Sequence, residues 1–419
     1  MDDASPCPGP GAPLEPVIVA KPGHPISKPD IDADVLKIVY RLHRLGFTAY
    51  ITGGAVRDLL LGRPAKDFDI VTDARPGQIK KRFGNAYVIG RRFRLVHVHF
   101  RGEKVIEVAT FRRAADRDAR AQAESEGAPV NPYGTPAEDA FRRDITINAL
   151  FYDVINDAVL DYVGGLGDLS RRVVRVIGDP EERFVEDPVR IWRVLRHSSR
   201  LGFAIDESAE RAIVSHAQLV GICSGARLYE EFNRDLTSET RPVIEALRRF
   251  GLLHHVVGKT GLDYEADPEL FSRLSALLEV KDRAGAAGLE FSLMELYSLF
   301  FWPWIEPLFS RTGIDYHKEL SDAFRDAGMK VNIPKSLRAD VFQTVIIVAA
   351  MLRAMHTGKM RWALQRRSQF AKASRLFSLI FFGRPPEGDE SFAAAFNKAH
   401  PAAGKPWKRR RRRSHRLND

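Results

Sequence analysis

Two aspartates one residue apart, Asp67 and Asp69, follow a glycine turn in the stretch ITGGAVRDLLLGRPAKDFDIVT. Side chains two residues apart on a strand point to the same face, so these carboxylates are predicted to lie side by side. Like charges at that distance repel unless a cation lies between them. Mg²⁺ suits such a pair, because it takes one or two carboxylates and leaves room for phosphate oxygens. The pair therefore predicts a metal site, and a solvated edge strand is the alternative.

The glycines Gly53 and Gly54 are predicted to end a strand and begin a helix. Backbone N–H groups at a helix start bind phosphate well. Arg57, one turn into that helix, would add a guanidinium to the same phosphates. Close to Asp67 and Asp69 in the chain, these residues predict a site for a triphosphate beside the metal.

Two further carboxylates accompany the pair. Glu107 lies in KVIEVATF on an otherwise apolar strand face, so it is either a third metal-site acid or the partner of an arginine. Asp144 lies at a predicted helix-to-strand junction in RRDITINAL. There Arg142 and Arg143 would hold a triphosphate or, alternatively, form a surface salt-bridge cluster with it.

Asp187, Arg190, Arg193 and Arg196 recur every three residues in EDPVRIWRVLRHSSRLGF and drift slowly around one helix face. A carboxylate accepts from an exocyclic base amine, and a guanidinium donates to the neighbouring ring acceptor. Asp187 with Arg190 would therefore recognise adenine or cytosine and disfavour guanine and uracil, which leaves ATP and CTP both open. Arg193 and Arg196 remain for phosphates, and a solvated charged face is the alternative.

The formal net charge of +10 is concentrated at the C terminus, in KPWKRRRRRSHRLND. Such a cationic arm suits a polyanion, with nucleic acid the first choice, an anionic membrane surface the second and a solubilising tail the alternative. Its basic residues are Lys405, Lys408, Arg409, Arg410, Arg411, Arg412, Arg413 and Arg416.

Two cysteines, Cys7 and Cys223, are too few for a disulfide framework or a zinc site. The sequence shows neither a secretory signal at its start nor an apolar run of membrane-spanning length. A cytoplasmic protein without a membrane partner is therefore expected.

With 419 residues, the chain is expected to form several domains. Residues 1–32 are proline-rich and predict a disordered leader. Helical spacing over 33–47 precedes strand patterns at 49–54, 67–72, 86–90, 93–100 and 104–111, which together predict an α+β domain with a mixed sheet. Residues 114–137 predict a surface loop, and from about residue 180 only helical patterns follow.

The motifs GGAVRDLLLGRPAKDFD, RRDITINAL and EDPVRIWRVLR resemble those of the nucleotidyltransferase family of bacterial poly(A) polymerases and tRNA CCA-adding enzymes. IGRRFRLVHVHF and the Arg-rich C terminus resemble the poly(A) branch. The resemblance implies a polymerase-β-like palm at 33–165, a helical neck at 166–235 for base recognition and RNA binding, a helical body at 236–385 and a basic, disordered RNA-binding tail at 386–419.

The resemblance also implies roles for single residues. It implies Mg²⁺ at Asp67 and Asp69, and it leaves open whether Asp144 or Glu107 is the third catalytic acid. The nucleotide contacts that it implies, together with Gly53 of the same turn, are Gly54, Arg57, Arg143, Asp187, Arg190, Arg193 and Arg196.

The expected activity is template-independent transfer of AMP from ATP to RNA 3′ ends, with release of pyrophosphate. A tRNA enzyme that adds CCA or A is the first alternative, because its chemistry is the same. An RNA-binding protein without catalysis, acting through its basic tail, is the second.

Overall fold

A computed structural model describes residues 15–90, 94–113, 133–359, 362–384 and 392–400. The chain divides into two compact units, of which the first ends at His216 and the second begins at Ala217. The first unit carries all the predicted chemistry except the basic tail.

An eight-stranded mixed sheet forms the centre of the first unit, in the order β1-β8-β7-β2-β3-β6-β5-β4. All neighbours are antiparallel except β3 and β6, which are parallel. A short parallel pair, β9 with β10, lies outside this sheet. The strands are β1 Val17–Ala20, β2 Ala49–Thr52, β3 Asp69–Thr72, β4 Ala86–Ile89, β5 Leu95–His99, β6 Val105–Thr110, β7 Phe151–Asp153, β8 Ala158–Asp161, β9 Val173–Val174 and β10 Ala204–Ile205.

Helices and short 3-10 turns connect these strands. The 3-10 helices are Lys28–Asp30 and Thr146–Asn148. The α-helices are α1 Ala33–Arg44, α2 Gly54–Leu60, α3 Pro76–Arg82, α4 Pro136–Phe141, α5 Gly165–Arg171, α6 Pro180–Glu186, α7 Val189–Leu201 and α8 Glu207–His216.

Alternation of apolar and polar residues explains how the sheet is covered. Val96 and Val98 of β5 are buried, as are Ile106 and Val108 of β6, whereas the residues between them face the other way. On the opposite face, Val71 belongs to a separate apolar cluster with Phe111, Ala140, Ala149, Phe151, Leu160 and Ile177. Two faces with separate apolar contacts fix the register of the central strands, because a slip of one residue would exchange the faces.

The second unit contains only helices in the part that the structure describes. The most apolar of them, Leu293–Ile305, is buried nearly all round. No helix among the described residues is long and apolar enough to cross a membrane. The α-helices are α9 Gly225–Leu236, α10 Arg241–Arg249, α11 Leu253–Val257, α12 Lys259–Ala266, α13 Pro268–Ala286, α14 Leu293–Ile305, α15 Tyr316–Asp326, α16 Lys335–Thr357, α17 Phe370–Phe382 and α18 Phe392–Ala399, with 3-10 helices at Ala217–Ile222, Glu306–Ser310 and Trp362–Arg366.

The α+β class, the mixed sheet and the helical second part are confirmed. The predicted leader is wrong from residue 15 onward, because Val17–Ala20 forms an edge strand against β8. His24, also within that leader, is buried, and its Nε2 lies 3.0 Å from the carbonyl of Asp157. A four-residue strand among prolines gives too little periodic signal and depends on a distant partner.

Four further features differ from the prediction. The division after His216 falls inside the predicted neck, and β10 is a strand beyond residue 180, where only helices were expected. The predicted tail, 386–419, contains a helix, Phe392–Ala399, whose Phe392 and Phe396 are buried. The predicted loop ends at Pro136, where α4 begins, and its residues 114–132 lie outside the described part.

Candidate active site

The acidic centre of the site comes from the parallel pairing of β3 with β6. That register places Glu107 directly opposite Asp69, the first residue of β3. The sequence predicts that both aspartates lie within one strand. Asp67 instead precedes β3, which begins at Asp69. Burial raises the pKa of Asp69, and the negative charges of Glu107 and Asp67 raise it further, while Arg143 acts in the opposite direction. Three acids therefore share one electrostatic environment.

Glu107 was predicted to be a metal-site acid or an arginine partner. Its Oε1 lies 3.4 Å from Nε2 of His97, which is its opposite residue on β5. Glu107 therefore contacts a histidine on β5, and its opposite residue on β3 is Asp69.

The glycine turn lies against this acidic centre. Gly53 has a φ of +76°, in the region that favours glycine. A methyl group placed on it would lie 3.6 Å from Oδ2 of Asp69 and 3.8 Å from Nη1 of Arg143. One placed on Gly54 would lie 3.4 Å from Nη2 of Arg57. The turn thus brings open backbone, a carboxylate and two guanidinium groups together.

Arg57 is held in place by two oxygen acceptors. Its Nε donates to Asp58 at 2.9 Å, and its Nη1 donates to Oδ1 of Asn148 at 2.7 Å. Asn148 also accepts from Nη1 of Arg143 through its backbone carbonyl, at 3.1 Å, and its side-chain nitrogen lies 3.2 Å from Nε2 of His197. Asn148 therefore connects both arginines, and only its place in RRDITINAL could have pointed to it.

Asp139 is the other anchor that sequence reasoning missed. It is fully buried and accepts from Nε of Arg142 at 2.8 Å and from Nη2 of Arg143 at 2.9 Å. The backbone N–H of Arg112 donates to it as well, at 3.1 Å. An acid three and four residues before two arginines on a helix is the sequence signal that could have found it.

Asp144 has the opposite electrostatic character to Asp69. Its Oδ1 accepts from Nε of Arg190 at 3.0 Å, and its Oδ2 accepts from Nη1 of Arg193 at 2.8 Å. Burial alone would raise the pKa of Asp144, but the two arginines outweigh it and hold that pKa below the ordinary value. Asp144 is thus a charge-neutralised acid that joins RRDITINAL to α7.

The remaining predicted nucleotide contacts lie on or just before α7. Asp187 follows α6, and its Oδ1 accepts from the backbone of Val189 at 3.3 Å. Arg190 also donates to Glu186 at 2.8 Å. Arg196 is only 3% exposed, on a helix whose Trp192 and Leu195 are buried too. The base-reading and phosphate-binding roles of these residues remain predictions, and the basic residues 405–416 lie outside the described part.

The acidic centre fits Mg²⁺ in its charge and its chemistry. Among the described residues, no three His, Cys, Asp or Glu side chains form a ready-made metal cage. Mg²⁺ does not require one, because it is usually held by one or two carboxylates, with water and substrate phosphates completing its shell. Burial is the main cause of the raised pKa of Asp69, and the negative charges of Glu107 and Asp67 add to it, so a cation bound there would stabilise the ionised carboxylates.

Two family models match within this chain. "Poly A polymerase head domain" matches residues 49–175, and "Probable RNA and SrmB- binding site of polymerase A" matches residues 202–260. The first match contains the acidic centre, the glycine turn, Asn148 and Asp139.

Curated relatives extend the similarity over most of the chain. The Poly(A) polymerase I of Salmonella typhi is 34% identical over 383 residues, which cover 86% of this chain and 81% of the relative. That of Haemophilus influenzae is 37% identical and covers 73% and 70%. The CCA-adding enzyme of Lactobacillus helveticus is 37% identical over 49% of this chain and 50% of its own. The chain therefore belongs to the RNA nucleotidyltransferase family that includes poly(A) polymerases and CCA-adding enzymes.

Solved structures of the family share the fold. The CCA-adding enzyme of Bacillus stearothermophilus in complex with CTP matches with a TM-score of 0.58 and 24% identity, over 90% of this chain and 94% of that one. The CCA-adding enzyme of Thermotoga maritima complexed with tRNA matches with a TM-score of 0.56 and 20% identity.

The contrast between Asp69 and Asp144 predicts stability changes of opposite sign. At pH 7 without divalent metal, Asp69→Asn should raise the thermal midpoint, because ionised Asp69 is disfavoured in the fold. Asp144→Asn should lower stability by about 2 kcal/mol, since it weakens charged hydrogen bonds to two arginines. Thermal unfolding in EDTA measures both.

The pH dependence follows from the two directions. The Asp69→Asn gain should shrink as the pH falls through the raised pKa of Asp69. The Asp144→Asn loss should persist until the pH falls below the ordinary aspartate value toward the lowered pKa of Asp144. Each variant is the other's control, and a change of the same sign in both would contradict the electrostatic contrast.

Proposed function

We propose that this chain is a template-independent polynucleotide adenylyltransferase, which transfers AMP from ATP to RNA 3′ ends. The observation that carries the proposal is the acidic centre of Asp67, Asp69 and Glu107 beside a glycine turn and two anchored arginines. In the reaction, the RNA 3′ hydroxyl loses its proton to water and its oxygen bonds to the α-phosphorus, while the bond from that phosphorus to the oxygen bridging to the β-phosphate breaks and pyrophosphate leaves.

Asp67 and Asp69 would hold Mg²⁺, with Glu107 the nearest further acid. When bound, the ion polarises the α-phosphate and lowers the pKa of the attacking hydroxyl. Asp144 is less suited to be the third acid, because both of its oxygens already accept from arginines. Glu107 is therefore our choice between the two.

Arg57 and Arg143 would hold the triphosphate. Asn148 and Asp139 hold both guanidinium groups in place before substrate arrives. Binding a triphosphate therefore costs little further side-chain entropy. Pre-positioned positive charge of this kind stabilises the charge that develops in phosphoryl transfer. Arg193, whose side chain is 32% exposed, would serve both Asp144 and a phosphate.

From the family motif that contains them, we propose that Asp187 and Arg190 select the base and that Arg196 contacts a phosphate. That pairing accepts adenine or cytosine, so the preference for ATP rests on the relatives. Two of the relatives called Poly(A) polymerase I align over 86% and 73% of this chain, compared with 49% for the CCA-adding enzyme of L. helveticus. A CCA-adding activity is the second candidate, favoured by the shared fold.

Added A tails would alter how long a transcript survives, so the proposed activity would act in RNA processing and decay. Its substrates, ATP and transcripts, favour action in the cytoplasm. The basic residues 405–416 would bind RNA phosphates without regard to sequence, as an enzyme acting on many 3′ ends requires.

The substrate assay separates the two candidates. Purified protein is given ATP or CTP, with either a tRNA lacking its CCA end or an unstructured oligomer. We expect long A tails on both RNAs and little use of CTP. Asp67→Ala or Asp69→Ala should reduce incorporation at least about 100-fold, since loss of even a supporting metal-site residue costs 10- to 100-fold.

The other outcomes of this assay are equally informative. CTP incorporation confined to the tRNA would favour the CCA-adding candidate. RNA binding without use of either nucleotide would favour a binding protein. Normal turnover by either Asp67→Ala or Asp69→Ala would overturn the proposed metal site.

The choice of third acid predicts a change in metal dependence. Glu107→Gln should raise the Mg²⁺ concentration needed for half-maximal activity by about 10-fold or more, because it removes negative charge next to the ion. Asp144→Asn, its isosteric control, should leave that concentration unchanged whatever it does to the rate. The reverse pattern in a Mg²⁺ titration would make Asp144 the third acid.

The tail predicts a salt effect. Deleting residues 405–419 should weaken RNA binding and flatten its salt dependence, because each lost phosphate contact reduces the log–log slope by about 0.7 for single strands. Fluorescence anisotropy at several salt concentrations measures the slope. A full-length variant with the tail arginines changed to glutamine should behave like the deletion, and a slope equal to wild type would contradict the assignment.

A further inference from the structure

The three strands beyond the acidic centre have an outward face of unusual composition. Its positions on β4, β5 and β6 are Tyr87, Ile89, Leu95, His97, His99, Val105, Glu107 and Ala109, and Glu107 is the only carboxylate among them. Tyr87 is 56% exposed, Ile89 45% and Val105 40%. A cluster of exposed apolar and ring side chains of this kind marks an interaction site.

The rings on this face lie close to one another. Tyr87 and His99 meet edge to face with their centroids 5.0 Å apart, and His97 lies 6.4 Å from His99. We call Tyr87, Ile89, His97, His99 and Val105 the ring face. Bases of single-stranded RNA stack on side chains of this type, because every base presents a flat π surface.

The ring face is continuous with the acidic centre. Strand register aligns Tyr87 with His97, His97 with Glu107, and Glu107 with Asp69. Three strand spacings separate the first and last of these positions, about 14 Å. A row of this length has room for more than one nucleotide of an RNA whose 3′ end lies at Asp69.

We propose that the ring face is the stacking platform for the 3′-terminal nucleotides of the RNA substrate. The inference rests on the proposed function, which places the reacting 3′ hydroxyl beside Asp69. It adds that the last unpaired bases run across β6, β5 and β4 and are bound through their π surfaces. A platform that reads no base edges would accept a tail of any length or sequence.

The test uses full-length protein and an unstructured RNA carrying 2-aminopurine at the third or fourth nucleotide from its 3′ end. Wild type should quench this probe on binding, and Tyr87→Ala should relieve the quenching. The KM for RNA should rise roughly 5- to 100-fold in Tyr87→Ala, the range for losing one stacked base, while the KM for ATP stays unchanged. His99→Ala should act in the same direction.

Two controls separate ring stacking from other causes. Tyr87→Phe keeps the ring and should behave like wild type. Tyr40→Ala removes a tyrosine on α1 that is 38% exposed, and should change neither the quenching nor the KM for RNA. A probe placed ten nucleotides upstream should respond equally in all variants.

Unchanged quenching and an unchanged KM for RNA in both Tyr87→Ala and His99→Ala would overturn the platform. A rise in the KM for ATP alone would assign the face to the nucleotide and overturn it as well, as would Tyr87→Phe behaving like Tyr87→Ala. The quenching measurement needs no turnover. Failure of wild type to incorporate nucleotide would therefore count against the proposed function and leave the platform to be judged on binding.

Discussion

The parallel pairing of β3 with β6 is the constraint from which the candidate site follows. It places Glu107 opposite Asp69, with Asp67 close by. The negative charge concentrated there does not stabilise the fold. The neighbourhood offsets this charge only in part. Arg143 is the opposing cation, and Asp139 and the carbonyl of Asn148 already hold its guanidinium. The first unit thus keeps negative charge at this site that a bound cation can neutralise.

Asp144 shows the opposite arrangement a few residues away. Two arginines of α7 neutralise it. Asp144 therefore links RRDITINAL to α7 and adds no uncompensated negative charge to the site. Asn148, from the same motif, links Arg57 to His197, whose pKa burial and nearby arginines lower to about 3. A neutral imidazole there can accept from the amide of Asn148, which leaves the amide oxygen for Arg57. The motif RRDITINAL therefore contacts arginines of both α2 and α7.

Much of this was predictable from local patterns. Period-two alternation in LVHVH and VIEVAT located β5 and β6, and the spacing of glycines and aspartates predicted the candidate site. The pairing of Asp69 with Glu107 was not predictable, because a parallel register depends on what packs between distant strands. The spacing of Asp139 from Arg142 and Arg143 is a sequence signal, but the complete burial of Asp139 is not visible in the sequence of its helix. The strand Val17–Ala20 and the helix Phe392–Ala399 likewise exist through contacts with distant segments.

The links between RRDITINAL and the segments that follow it have a practical consequence for dissecting the molecule. Arg183 donates to the carbonyls of Arg142 and Arg143, and β10 supplies the strand partner of β9. A fragment cut at residue 175, where the head-domain match ends, would strip Asp144 of its counterions and leave those carbonyls bare. The shortest fragment that keeps these contacts should extend to His216, the end of the first unit. The head-domain match, which ends at residue 175, is some forty residues too short to define it.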